Sequence, residues 1–308
     1  MKPLRLSHAE IALDPPRYLE AKDPCPVRDG ERWHLFGTGI PAPDRFEVLH
    51  ATSASLEGPW RQEAVPVLPC LRGSCLAAPG VVREGSRFHM FLQTDFDLFG
   101  GRIEHLVSDD DALSFRHAGT ALASLPGSDE AGIYDAHPAH IDGERYLTYS
   151  AFQEIGAPDI HLARSLGEGW DGPWERLGPI LTHGQVPFHN VRGAPDYEWG
   201  LEGGHLLELT DGHVLLTAVC FLPLGSAGSR QRVFLAIAND ACGPFRALGP
   251  IAPRAEGSGE NGHAVTVLDG EGLAVMLQER NGADGRWGYA VSRMSAAALD
   301  SLSEPVSA

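Results

Sequence analysis

The sequence predicts an all-β protein, a five-bladed β-propeller with four antiparallel strands per blade, and three recurring features carry that prediction. First, an Asp-Gly or Glu-Gly step appears five times, as Asp29-Gly30, Glu84-Gly85, Asp142-Gly143, Asp211-Gly212 and Asp269-Gly270. An acidic residue followed by glycine suits a tight hairpin turn, because glycine takes the positive φ that such turns demand. Second, each step runs into an apolar segment and then into a third strand rich in small and aliphatic residues. The third strands are Glu47–Ser53, Ile103–Ser108, Asp159–Ser165, Val233–Ala238 and Trp287–Ser292. Third, three copies close on Gly58-Pro59-Trp60, Gly172-Pro173-Trp174 and Gly243-Pro244-Phe245.

Each copy parses into one strand before the turn, one after it, the small-residue strand, and a last strand at or after the Gly-Pro-aromatic step. Turn-to-turn spacings of 55 to 69 residues suit four-stranded blades. A two-sheet sandwich is also built of short strands, but it does not repeat a turn and a closing signature at near-constant spacing. Helical periodicity is confined to Ser295–Leu302, where a closing segment is expected. The repeat runs end to end, so residues 1–308 are read as one propeller domain.

With 43% hydrophobic and 21% charged residues, the chain has ample apolar material for a large interior. Its 24 basic and 41 acidic side chains give a formal charge of -17, which repels nucleic-acid phosphates and anionic membranes and leaves a small neutral ligand as the expected partner. Five cysteines without a close CxxC pair suggest neither a disulfide framework nor a zinc site. The first residues lack the apolar stretch of a signal peptide, and the longest apolar run, Val214–Leu224, is too short to cross a bilayer, so a cytoplasmic address is expected.

Innermost strands of a propeller converge on one axis, so residues far apart in sequence meet there. Reading back from each turn places Lys22-Asp23-Pro24, Ala77-Ala78-Pro79, Tyr134-Asp135-Ala136, Leu201-Glu202-Gly203 and Gly262-His263-Ala264 at equivalent places. Asp23, Asp135, Glu202 and His263 thus face the axis. Two carboxylates across a sugar ring are the minimum for glycoside hydrolysis, and a third raises the pKa of its neighbour, because confined like charges do not all ionise.

On these residues the chain resembles the family 43 glycoside hydrolases, five-bladed propellers acting on arabinose-, xylose- and related glycans, mostly with inversion. The resemblance implies Asp23 as general base, Asp135 as the residue that orients and tunes the acid, and Glu202 as general acid. The resemblance also matches Gly262-His263 to a place that commonly helps hold a water-coordinated calcium or sodium ion; an exo-acting enzyme on short, neutral oligosaccharides that requires no cofactor is the reading expected here. Departures are Ala77 where the family carries a tryptophan, Gly203-Gly204 where it has Gly-Pro, and Pro138 displaced from beside Asp135, which leaves His137 competing for the axial place.

Sugar binding calls for flat apolar faces and a few fixed polar groups. Phe96, Tyr134, Phe152, Trp199 and Phe221 are candidates, Trp199 as a replacement for the aromatic lost at Ala77; His137, Arg280 and Arg286 are further substrate-binding candidates. Trp60, Trp174 and Phe245 recur with the repeat and are assigned to packing between blades. His137 and His140 point to opposite faces of a strand, which disfavours zinc. Two rival readings remain: a retaining fructofuranosidase-like propeller with Asp23 as nucleophile, and a carbohydrate-binding propeller without chemistry.

Overall fold

The structure, a computed structural model, describes Leu4 and residues 6–69, 71, 76–95, 100–153, 157–187, 200–223, 229–251, 260–270, 272–280 and 285–294. Five antiparallel sheets surround an axis, and their innermost strands are Glu20–Asp29, Ala77–Glu84, Gly132–Ile141, Glu202–Glu208 and Glu260–Asp269. Blade one continues outward through Arg32–Ala42, Arg45–Ser53 and Trp60–Gln62, each antiparallel to the last, as the repeat predicts. It then gains a two-residue fifth strand, Leu13–Asp14, parallel to Trp60–Gln62.

Blade five closes in a way the repeat did not predict. Its outermost strand is Ser7–Ile11, paired antiparallel with Trp287–Met294 from the far end of the chain. Backbone hydrogen bonds from Ser7↔Arg293 to Ile11↔Tyr289 therefore close the ring. The predicted helix at Ser295–Leu302 lies outside the described residues.

The apolar core is divided into seams, one between each pair of neighbouring blades. Trp33, Leu35 and Trp60 of blade one pack against Met276 and Tyr289 of blade five, while Phe36 and Val48 pack against Phe88 and Met90 of blade two. The recurring aromatics are seam residues, as expected: Trp60 lies between blades one and five, Trp174 between two and three, and Phe245 between three and four. Blades are buried on both faces, so their middle strands read as near-continuous apolar runs. Gly58 shows why the closing signature begins with glycine: its φ is +93°, and a Cβ there would stand 3.1 Å from the Trp60 ring.

Candidate active site

The inner strands share one defect, and the site is built on it. In every blade the pairing of first and second strands skips two residues: between Lys22 and Cys25, Ala77 and Gly80, Tyr134 and His137, Glu202 and His205, and Asn261 and Ala264. Such a bulge bends the strand and re-aims its side chains. In four blades the first skipped residue is left-handed: Asp23 at φ 54°, Ala78 at 47°, Asp135 at 50° and Gly203 at 58°. Aspartate and glycine tolerate that region better than most residues.

The amide of each left-handed residue is held by a polar side chain on the second strand of the preceding blade. Gln278 Oε1 accepts from Asp23 N at 2.8 Å, and Thr38 Oγ1 accepts from Ala78 N at 2.8 Å. Gln93 Oε1 accepts from Asp135 N at 2.9 Å, and Ser150 Oγ accepts from Gly203 N at 3.1 Å. Each such bond satisfies an amide that the bulge removes from its ladder and ties one blade to the next. Composition alone does not reveal these four acceptors. Their signal is a polar residue interrupting an otherwise apolar second strand.

These bonds fix the register, and they correct one expectation. Asp23 and Asp135 occupy the same place in their blades. Glu202, however, precedes the left-handed residue, and His263 is the second skipped residue, so the four axial groups are not at equivalent positions. Glycine at 203 makes room for this: a Cβ there would meet the His263 ring at 3.1 Å.

The side chains nonetheless converge. His263 Nδ1 is 2.9 Å from Asp23 Oδ1, and its Nε2 is 3.3 Å from Asp135 Oδ2 and 3.6 Å from Glu202 Oε2. Thr38 donates to Asp23 Oδ2 at 2.6 Å, and Tyr134 donates to Glu202 Oε1 at 3.2 Å. Tyr134 thus touches a candidate acid, while Phe152 packs edge-on against its ring.

Electrostatics follow from burial of three acids around one base. Burial pushes the Asp135 carboxyl up to about 7, the Asp23 and Glu202 charges adding to the rise and His263 opposing it. Burial works on Asp23 in the same direction, yet His263, Lys22 and Thr38 outweigh it and hold that carboxyl below the ordinary range. Burial would lower His263, but Asp135, Asp23 and Glu202 together raise it well above the usual imidazole value. At neutral pH the cluster holds an ionised Asp23, an imidazolium, and an Asp135 poised to exchange its proton.

Asp135, Glu202 and His263 also bring ligand-type atoms within 4.8 Å of one another, the nearest match to the axial ion implied by the resemblance. Both His263 nitrogens face carboxylates, so an ion there would be held by the acids and through water, with His263 beside it.

The other candidates fall elsewhere. His137 lies on the turn side of its bulge, in an axial cavity of about 360 Å³ shared with His205, so Asp135 and not His137 joins the acids. Arg280 donates to the Gly285 carbonyl at 2.6 Å, lies 3.5 Å from Glu260 and stacks over Trp287, and Arg286 is exposed. Phe96 and Trp199 lie outside the described residues, and Phe221 is half-buried near the end of its strand.

No family model matches the chain. A probable arabinan endo-1,5-alpha-L-arabinosidase B of Aspergillus fumigatus is 29% identical over 136 residues, 44% of this chain and 32% of that protein. The matched segment thus spans about a third of that relative's length. An exo-1,5-alpha-L-arabinanase from a bovine ruminal metagenomic library superposes with a TM-score of 0.66 at 16% identity, covering 89% of this chain and 92% of that one. A thermostable family-43 glycoside hydrolase does so with a TM-score of 0.66 at 18% identity, covering 92% and 91%.

The chain resembles the family 43 glycoside hydrolases. That likeness rests on the whole propeller and, over part of the chain, on local sequence. The five-bladed fold expected from the family 43 resemblance is therefore borne out.

Proposed function

We propose that the chain is a family 43-like glycoside hydrolase that cleaves arabinose-containing oligosaccharides, with xylose-containing ones second, by single displacement with inversion. Convergence of Asp23, Asp135 and Glu202 on the propeller axis carries the reading. Asp23, ionised and held by Thr38, takes the proton of the attacking water. Glu202, held by Tyr134, gives a proton to the departing oxygen, and Asp135, sharing His263 Nε2 with it, orients it. Asp23 meets one nitrogen of His263 and Glu202 the other, so the imidazole holds the two acids apart. An inverting mechanism calls for roughly 6.5–9.5 Å between the two carboxyls, to admit a water.

His263 supplies the positive charge that lets the buried Asp23 and Asp135 and the half-buried Glu202 share the site. Exo action on short chains is the finer part of the proposal. It follows the ruminal neighbour, named as an exo-arabinanase, whereas the Aspergillus relative is named as an endo-enzyme.

Arabino-oligosaccharides are the first substrates to try. Proton NMR of the freshly released sugar should show the anomer opposite to the bond cleaved, and single-residue products should precede shorter oligomers. Asp23→Asn and Glu202→Gln should each lower turnover by about 10²–10⁴-fold without unfolding the protein. Unchanged turnover in both variants would refute the assignment, and retained configuration would transfer Asp23 to the nucleophile's role.

A further inference from the structure

Among the described residues, two groups of three His, Asp or Glu side chains bring ligand-type atoms within 4.8 Å of one another. One is the axial cluster. The other is Asp29, His34 and Asp111, at the seam between blades one and two. Asp29 belongs to the hairpin turn of blade one, His34 to the strand that follows, and Asp111 to the loop after the third strand of blade two. Six residues of extended chain separate Asp23 from Asp29, roughly 20 Å along the strand, so this group is remote from the axial acids.

His34 is the decisive member. It is 0% exposed, and its Nε2 has no hydrogen-bond partner. That nitrogen faces Asp111 Oδ1 at 3.8 Å and Asp29 Oδ2 at 3.9 Å, beyond hydrogen-bond reach of either. Its other nitrogen, Nδ1, lies 3.0 Å from His50 Nε2, with the two rings stacked at 5.2 Å. When His34 Nδ1–H donates to His50, Nε2 is left as a bare lone pair aimed between two carboxylates. Arg32 and Arg83 balance the two carboxylates, but neither gives His34 Nε2 a hydrogen bond, so its lone pair remains unsatisfied beside two carboxylate oxygens.

We propose that Asp29, His34 and Asp111 form a binding site for a divalent metal ion of the zinc class that clips blade one to blade two. One imidazole nitrogen with two carboxylate oxygens suits zinc and its neighbours better than calcium, which favours oxygen alone. An ion about 2.0–2.2 Å from each donor requires only a small contraction of the present spacing. His50 fixes the tautomer of His34, as the outer partner of a metal-bound histidine commonly does.

The arginines nearby are compatible with this. Arg83 lies 3.0 Å from Asp29 Oδ1, leaving Oδ2 for the ion. Arg32 donates to Asp111 Oδ1 at 2.6 Å and stands 3.7 Å from Asp29 Oδ2, so it competes for the same oxygens. Its side chain is 46% exposed and free to swing into solvent.

The test is calorimetric titration of chelator-stripped protein with Zn²⁺ alone, and with Co²⁺ for its visible spectrum. Both are run on the full chain carrying Glu202→Gln, which disables the axial donor set. The expected result is one saturable equivalent. Asp111→Asn, at an exposed residue whose loss leaves the core intact, should weaken Zn²⁺ at least tenfold and abolish the rise in Tm that Zn²⁺ gives. Arg32→Ala should tighten binding several-fold by removing the competitor, whereas a plain ion-pair cluster would show no gain. Zn²⁺ affinity unaltered by Asp111→Asn, or no saturable binding in the parent, overturns the site.

Discussion

Two sets of histidines are buried on the same axis, one on each side of the ring of bulges, and they are held in opposite charge states. His263 sits among Asp23, Asp135 and Glu202 and is raised well above the usual imidazole range. On the turn side, burial and the mutual repulsion of nearby histidines lower His137 to about 3, and burial alone lowers His205 to about 4. Depth is not what separates them, since both His263 and His137 are buried. The difference lies in what the bulge presents. Asp23, Asp135 and Glu202 turn carboxylates toward one side, whereas at His137 the Asp23 charge is outweighed by burial and by the repulsion of His205 and His263.

The sharpest way to break this contrast is to remove the charge that balances the acids. His263→Gln leaves the buried Asp23 and Asp135 carboxyls, and Glu202 beside them, without their cation, and losing one partner of a buried ion pair costs about 3–5 kcal/mol. Urea denaturation at pH 6 should show a loss of that size, together with turnover reduced at least 100-fold. A variant within about 1 kcal/mol of the parent would mean that the ring is a spacer and not a counter-ion.

Asp135→Asn tests the other half of the cluster, with a smaller effect on stability and a distinct pH signature. The carboxyl is raised from 3.8 to about 7 in the folded protein, so the fold binds a proton that the unfolded chain has released. Its contribution is complete below about pH 4 and is lost as pH rises through about 7. Asparagine cannot titrate, so the variant should gain stability relative to the parent as pH rises across that window. Activity should fall overall, and its decline above about pH 7 should flatten. A parallel pair of stability curves from pH 4 to 8 would show that Asp135 does not carry the shared proton.

The repeat made the fold legible, because five similar turns and five similar third strands leave few other architectures. It also located Asp23 and Asp135, which share one position in their bulges. Glu202 and His263 were found by the same reading for a looser reason. They lie one residue either side of the common position, and the bulge registers reveal the offset, with the amide bond from Gly203 to Ser150 marking it for Glu202. Closure by Ser7–Ile11 was hidden because that strand carries neither the turn nor the Gly-Pro-aromatic step. Sequence favoured Asp135 while leaving His137 in competition, and the two-residue bulge shows why Asp135 is the one that faces the acids.

His137 is where the smallest effect is expected, and that smallness is informative. Its Nδ1 has no hydrogen-bond partner, its ring meets His205 edge-on at 5.9 Å, and Thr148 bonds only its backbone carbonyl. An unpartnered buried polar group costs stability, so replacing it with an apolar side chain of similar size should be neutral or stabilising. His137→Leu should therefore stay within about 1 kcal/mol of the parent by urea denaturation and keep the parent's pH profile of turnover. The axial cavity of about 360 Å³ beside it gives the new side chain room. A shifted pH profile would show that the Asp23 charge reaching His137 couples it to turnover, and the bulge would no longer be the boundary between a charged half of the axis and a neutral one.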